Sequence, residues 1–333
     1  MSALRSRTSA RVAAVASVAV TGALLLAAPG SAAVKGVTAG TPSRACPAPT
    51  YPTIQAAVDA ALPGAVIKVC PGSYVENVHV NTPNVTLISG TTAAATTVTG
   101  TGLDLKHTPA TIQVNGVGDA VKHLTVAPDP TSGLSIETDN TQTDPAVGAR
   151  VAGNVITGNL LVGSGSATVR NNQLSNAFAQ PSGISAFGAH VDISGNVLRP
   201  NGNTTGIYVW NSTGSVASNI VQGAGASGAG IVVAYSPGFT VGPDNQVSRD
   251  GYGIEAIGDG AIITQNAITT SGYGLYANGA RNNTFSGNDV SGSTSYDCYD
   301  ASGGSLSMGT ANAWTANVGQ SSWHSGICTP AGA

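Results

Sequence analysis

The chain has 333 residues, 44 of them glycine, with 41% hydrophobic and only 9% charged side chains, where an ordinary globular chain carries about 25% charge. Charge-driven disorder is excluded, because so much aliphatic surface is available for burial. Thirteen Lys and Arg face sixteen Asp and Glu, and three of the cations (Arg5, Arg7, Arg11) fall in the first eleven positions; with no basic cluster elsewhere, nucleic acid is excluded as a partner.

The first 33 residues read as a signal peptide. Three arginines precede an Ala/Val/Leu run from Val12 to Ala28, and Pro29, Gly30 and Ser31-Ala32-Ala33 supply a small-residue cleavage pattern. The run is Ala-rich and interrupted by Ser17 and Thr21, which argues against a membrane anchor. The mature chain is therefore expected to be secreted, with no membrane contact after cleavage. A linker over 34–45 leads to an N-terminal cap and first strand over 46–72. Within it, Thr53 to Ala61 (TIQAAVDAA) reads as a short amphipathic helix with Thr53 as N-cap, stopped by Pro63-Gly64 before the strand VIKV.

Four cysteines remain after cleavage: Cys46, Cys70, Cys298 and Cys328. In an oxidising compartment they should pair, and three connectivities are possible. The local one, Cys46 with Cys70 and Cys298 with Cys328, is favoured because each pair borders one end of the chain. No CxxC spacing or paired histidine suggests zinc.

The body of the chain, 73–296, repeats itself, and a C-terminal cap over 297–333 follows. From residue 151 a hexamer recurs, apolar-x-x-Asn-x-apolar, with copies centred on Asn154, Asn172, Asn196, Asn219, Asn266 and Asn288 and a seventh, lengthened by one residue, at Asn245. The same apolar spacing occurs without asparagine at Val78, Thr101 and Leu124. A second column (GLSIE, GISAF, GIYVW, GIVVA, GIEAI, GLYAN) starts at Gly133, Gly183, Gly206, Gly230, Gly253 and Gly274. A repeat of roughly 22 residues built from period-2 segments cannot bury a core alone and must stack on its neighbours. The alternation calls for strands. Stacked parallel coils put each residue about 4.8 Å above its equivalent, so the asparagines should form an amide ladder of structural residues. About ten coils are expected.

These residues carry a resemblance. YPTIQAAVDAALPGAVIKVCPGSYVENVHV is similar to the N-terminal cap and first coil of secreted right-handed parallel β-helix proteins of the pectin lyase-like superfamily. The tail SYDCYDASGGSLSMGTANAWTANVGQSSWHSGIC resembles the closing segment of actinobacterial members. The resemblance implies an all-β solenoid and, for the enzymes of the group, polysaccharide lyase or hydrolase action in a groove outside one sheet. The outward rows of the glycine column would then be Ser135, Ser185, Tyr208, Val232, Glu255 and Tyr276 beside Glu137, Phe187, Trp210, Ala234, Ile257 and Asn278, with Gln113 and Asn115 one coil earlier. Tyr208, Trp210, Tyr276 and Asn278 form the expected sugar platform.

Glycoside hydrolysis uses two carboxylates roughly 5 to 9.5 Å apart. Glu255 is the candidate acid, and Asp259 reaches that range only if the chain turns sharply at Gly258. Polygalacturonase motifs are missing: there is no NTD, no Asp-Asp pair and no RIK. No cofactor is required by these residues, although Asp129, Glu137, Asp139 and Asp144 form an acidic segment with oxygen ligands suited to calcium. Two functions stay open: a secreted monomer that binds or processes an extracellular polysaccharide, or a non-catalytic structural or cell-surface β-helix.

Overall fold

The computed structural model describes residues 36–102, 110–138, 147–175, 182–202 and 204–332. The export segment, His107, Asp139 and Asp144 lie outside the described residues.

Short segments with period-2 burial form parallel strands, and each coil adds one strand to each of three stacks, with Ile220–Ala234 and Gln246–Ile257 each running through two of them. Among the described residues the first stack holds twelve strands, from Gly36–Ala39 to Ala313–Thr315. The second starts at Gly72–Val75 and reaches Asp289–Ser291. The third runs from Val78–Val80 to Ser322–Trp323. The molecule is an all-β parallel solenoid of about ten turns. Its core is built from aligned aliphatic columns: Ile184, Ile207, Ile231, Ile254 and Leu275 occupy one register position in the third stack, and all are fully buried. Each such side chain contributes about 1.5–3 kcal/mol through removal of apolar surface from water.

At the corner after the first stack the asparagines form a continuous amide ladder. Asn154, Asn172, Asn196, Asn219, Asn245, Asn266 and Asn288 each donate Nδ2 to the Oδ1 of the next asparagine, at 2.8–3.0 Å. The second Nδ2 proton goes to a main-chain carbonyl of a neighbouring coil, such as Val169 for Asn196. The ladder ends on Asn317, which the hexamer misses because Gly319 stands where an apolar residue is required. A second, shorter ladder joins Asn283 to Asn312 at the corner before the first stack. Both motifs satisfy main-chain groups that the tight corners would otherwise leave buried without partners.

The helix Ile54–Asp59 covers the first coil with Ile54, Ala57 and Val58 buried. Thr53 Oγ1 accepts from the Ala56 N–H at 3.1 Å. Glu76 adds a cap from outside the helix: its two carboxylate oxygens accept from Ile54 N and Gln55 N at 3.1 and 3.0 Å. Disulfides join Cys46 to Cys70 and Cys298 to Cys328, one at each end of the solenoid.

The structure departs from the sequence expectations in four places. The segment read as a linker contains Gly36–Ala39, which pairs in parallel with Val66–Val69 and is the first rung of the first stack. At the other end, strands continue beyond residue 296 through Tyr296–Asp300, Ala313–Thr315 and Ser322–Trp323. The apolar centres at Val78, Thr101 and Leu124 do not share a corner. Only Leu124 lies below the ladder, where its N–H donates to Asn154 Oδ1, while Val78 sits inside a strand of the third stack. Finally, a bulge between Leu134 and Ile136 shifts the register by one residue. Pairing with the strands on both sides puts Glu137, two positions past Ser135, in the row of Gln113, Leu161 and Ser185.

Asn219→Ala removes the acceptor of both Asn196 N and Asn196 Nδ2, and should cost about 1–3 kcal/mol, the usual penalty for a buried polar group left unpaired. Thermal melts against Thr269→Ala, an exposed strand position, check this; equal melting temperatures would contradict the role of the ladder.

Candidate functional site

The outward row of the third stack runs, in register, through Gln113, Glu137, Leu161, Ser185, Tyr208, Val232, Glu255, Tyr276, Tyr299 and Trp323. Its two halves differ. Gln113 and Glu137 are almost wholly buried. From Tyr208 onward the row is open and largely aromatic. Ala229, Val232 and Ala234 form a small apolar floor outside the solenoid, against which Tyr208, Tyr252 and Ile257 pack.

Glu255 stands on this floor, half-buried, one coil from Val232 and one from Tyr276. Asn278 Nδ2 donates to Glu255 Oε1 at 2.9 Å, and the Tyr276 hydroxyl donates to Asn278 Oδ1 at 3.3 Å. Burial raises the Glu255 pKa above the ordinary carboxylate range, and the Asn278 hydrogen bond opposes that rise. Burial also raises the phenol of Tyr208, with Tyr235 and Glu255 adding to it. The phenol of Tyr276 is raised by burial, then by Tyr252 and Glu255. A carboxyl that keeps its proton more readily, ringed by phenols that stay neutral, is a hydrogen-bonding cluster suited to hydroxyl groups.

Aromatic rings extend from this centre in both directions. Toward the N-terminal end, Phe187 lies 5.7 Å from Tyr208 and 6.4 Å from Trp210 between ring centroids. Tyr235 is 57% exposed and lies over Gly258, where a Cβ would come within 2.7 Å of its ring; the glycine, at φ +84°, admits the ring. Toward the C-terminal end, Tyr252, Tyr273 and Tyr296 form one register column, and Tyr276, Tyr299 and Trp323 form the next. Tyr252 stacks on Tyr273 at 5.6 Å and on Tyr276 at 5.2 Å, and Tyr299 stacks on Trp323 at 6.2 Å. The sequence reading placed Tyr208, Trp210, Glu255, Tyr276 and Asn278 on this face and missed Tyr235, Tyr252, Tyr273, Tyr296, Tyr299 and Trp323. The signal for Tyr252, Tyr273 and Tyr296 was the repeat of GYG at 251–253 and 272–274, followed by Tyr296 one coil later, which marks a tyrosine column at the coil period.

Asp259 takes no part in the cluster. It is exposed on the turn after Gly258, and its Oδ1 accepts from Arg281 N at 2.9 Å. Asp129 is equally committed. Its carboxylate accepts from Asn77 Nδ2, Gly102 N, Thr131 N and Ser132 N at 2.8–3.4 Å. Burial works to raise its pKa, but these four donors together hold it below the usual value. With its oxygens occupied, Asp129 serves its own turn.

Beside the tyrosine columns, at the corner between second and third stacks, lies an open groove of about 500 Å³ lined by Arg249, Asp250, Tyr252, Ser271, Tyr273 and Ser295 among others. Asp250 is buried, accepts from Ala224 N at 2.6 Å through Oδ1, and is pushed up to about 7 by burial. Asp119, buried at another corner and bonded to Val85 N at 2.8 Å, is also raised to about 7 by burial.

The family model for periplasmic copper-binding protein (NosD) matches residues 84–320. The chain belongs to the NosD family. The solved structures similar to it include the A-module of the mannuronan C-5 epimerase AlgE4 of Azotobacter vinelandii, at 14% identity and a TM-score of 0.52 over 72% of each chain. Another is ORF18 of Geobacillus virus E2, at 11% identity and a TM-score of 0.50, covering 79% of this chain and 56% of the other. At these identities the likeness is one of fold. No curated protein sequence matches the chain. The family description names copper, but among the described residues no group of three or more His, Cys, Asp or Glu side chains is placed to hold a metal. The described cysteines are all in disulfides. The NosD-family residues described in this chain do not compose a copper centre, and no helix among them is long and apolar enough to cross a membrane.

Because Asp250 and Asp119 titrate near 7 in the folded chain and near 3.9 unfolded, the folded state holds protons that the unfolded state has released between those values. Stability should therefore fall as pH rises from about 4 to about 7 and level off above. Asp250→Asn keeps the acceptor for Ala224 N and removes one ionisation. Urea melts at pH 5 and pH 8 should show a smaller stability gap in this variant than in the parent chain; an unchanged gap would contradict the assignment.

Proposed function

We propose that this NosD-family solenoid is an exported protein that binds an extracellular polysaccharide along the open half of the third stack. The observation that carries the reading is the Glu255 cluster. A half-buried carboxyl, an amide and phenols converge on an apolar floor, with exposed rings at Trp210 and Tyr235 to pack against sugar faces. Export is supported by the signal-like first 33 residues and by the two disulfides, which suit an oxidising compartment. The similar A-module of AlgE4 is a mannuronan C-5 epimerase, in keeping with a polysaccharide as ligand class.

Binding is favoured over cleavage. Glu255 is the single acid in the open part of the row, and Glu137, the other acid in it, lies five coils away, about 24 Å at the strand spacing. That separation is far outside the range of a glycosidase pair. A second reading, a rigid surface spacer with no ligand, is favoured by one observation: Tyr252, Tyr273 and Tyr276 stack on one another and thereby cover part of their own ring faces.

A glycan-array screen of the chain from residue 34 onward, parent against Trp210→Ala, tests the proposal. Binding of a linear glycan that weakens about tenfold in the variant, the loss of about one good aromatic contact, is the expected result. No binding to any glycan, or binding that Trp210→Ala leaves unchanged, rules out this face. Any bond cleavage that survives Glu255→Gln would place chemistry elsewhere.

A further inference from the structure

The polysaccharide reading leaves the chemical class of the glycan open, and the charge pattern of the face narrows it. The strands of the third stack from Ser182–Phe187 to Ser322–Trp323 contain no Lys or Arg apart from Arg249, which stands at the corner where Gln246–Ile257 enters the stack. Arg281 lies in the turn on the far side, past Gly279. Neither belongs to the row that runs from Ser185 to Trp323. The acids of these strands are Asp250, Glu255, Asp297 and Asp300. Asp250, Asp297 and Asp300 are buried and engaged by neighbouring N–H groups, so Glu255 is the acid of these strands that a ligand on the face would meet.

A uronate chain carries one carboxylate per sugar. Laid along this row, its carboxylates would lose hydration against aromatic rings and an apolar floor with no cation in the row to replace the water, and one of them would lie beside Glu255. Uncharged sugars meet the opposite situation. Their C–H faces pack on Phe187, Trp210, Tyr235 and Trp323, which are 39%, 40%, 57% and 51% exposed. Their hydroxyls find the Glu255 carboxyl, the Asn278 amide and the Tyr208 and Tyr276 phenols. The rings are spread over six coil steps from Ser185 to Trp323, about 29 Å at the strand spacing.

We infer that the open half of the third stack is a binding strip for an uncharged linear glycan several sugars long, lying parallel to the solenoid axis, and that it discriminates against polyuronates. The inference rests on the polysaccharide reading above and adds the ligand class, the direction and the far end of the strip at Trp323.

Calorimetric titration of the chain from residue 34 onward tests it, with hexasaccharides of three kinds: uncharged (β-1,4-glucan, xylan and N-acetylated chitin fragments), polyuronate (mannuronate, guluronate and galacturonate) and cationic (deacetylated chitosan). Trisaccharides of the best binder and the exposed-ring variant Trp323→Ala complete the set. The expected result is an uncharged hexasaccharide that binds at least about tenfold more tightly than every polyuronate, loses about tenfold in Trp323→Ala, and outcompetes its own trisaccharide. A polyuronate or chitosan fragment that binds most tightly and is weakened by Trp210→Ala overturns the ligand class while the polysaccharide reading stands. Uncharged binding that is weakened by Trp210→Ala but not by Trp323→Ala overturns the length and direction of the strip. If no fragment binds, the polysaccharide reading falls and this inference with it. Unchanged thermal melts of Trp323→Ala establish that any loss is local.

Discussion

Parallel strand pairing between successive coils is the constraint on which everything else in this molecule rests. It brings each residue to about 4.8 Å from its counterpart one coil away, so a residue type that repeats in sequence at the coil period becomes a column in space. Columns reward residues that bond to themselves. Isoleucine and valine columns fill the core, and asparagine columns close the corner, since an amide both donates and accepts and can pass the same bond upward indefinitely. A charged residue repeated in this way would repel itself, which accounts for the scarcity of charge in the chain.

The same rule acts on the outer surface. Tyr252, Tyr273 and Tyr296 are 21 and 23 residues apart in sequence and adjacent in the stack. Ring lies beside ring, and the outside of the third stack acquires aromatic columns without any loop being needed to build them. Glu255 is the acid in the open part of the outward row. Its raised pKa follows from its position: the neighbouring positions of the row, Val232 and Tyr276, offer neither a cation nor full access to water, and Asn278 alone supplies a donor. A rigid solenoid holds such a group in a fixed place, which favours recognition of a ligand with matching period.

Membership of the NosD family and the physical content of the chain answer different questions. The family match covers the repeating body, whose residues are mostly those that any stacked coil demands. The metal named in the family description is held by clustered His, Cys, Met or carboxylate ligands, and the described residues contain no group of three or more His, Cys, Asp or Glu placed to hold one. Beyond what stacking demands, the described residues include the tyrosine columns and the acid of the open row, on which the proposed glycan reading rests.

What was legible in the sequence was whatever repeats. The hexamer marks the asparagine corner, the glycine column marks the third stack, and the register of Ser185, Tyr208, Val232, Glu255 and Tyr276 follows from their common offset to that glycine. Local chemistry also spoke for the helix, through Thr53 and the apolar positions after it. What escaped the sequence was whatever depends on a single departure from the period. Glu137 takes the place in the row that the glycine column assigns to Ser135, because Leu134–Thr138 pairs with Ala110–Val114 at a different offset. A strand at Gly36–Ala39 forms only because Val66–Val69 offers it an edge. Glu76 caps a helix 21 and 22 residues away in sequence, and Asp129 spends its carboxylate on four donors from three separate segments. Composition and period determine that the chain must coil and which residues form columns, because stacking is a nearest-neighbour interaction repeated many times. Which side chains are covered, which acid is left to face solvent and which is consumed by a turn were decided by the tertiary structure alone, since burial and hydrogen-bond partners come from segments that no local pattern connects.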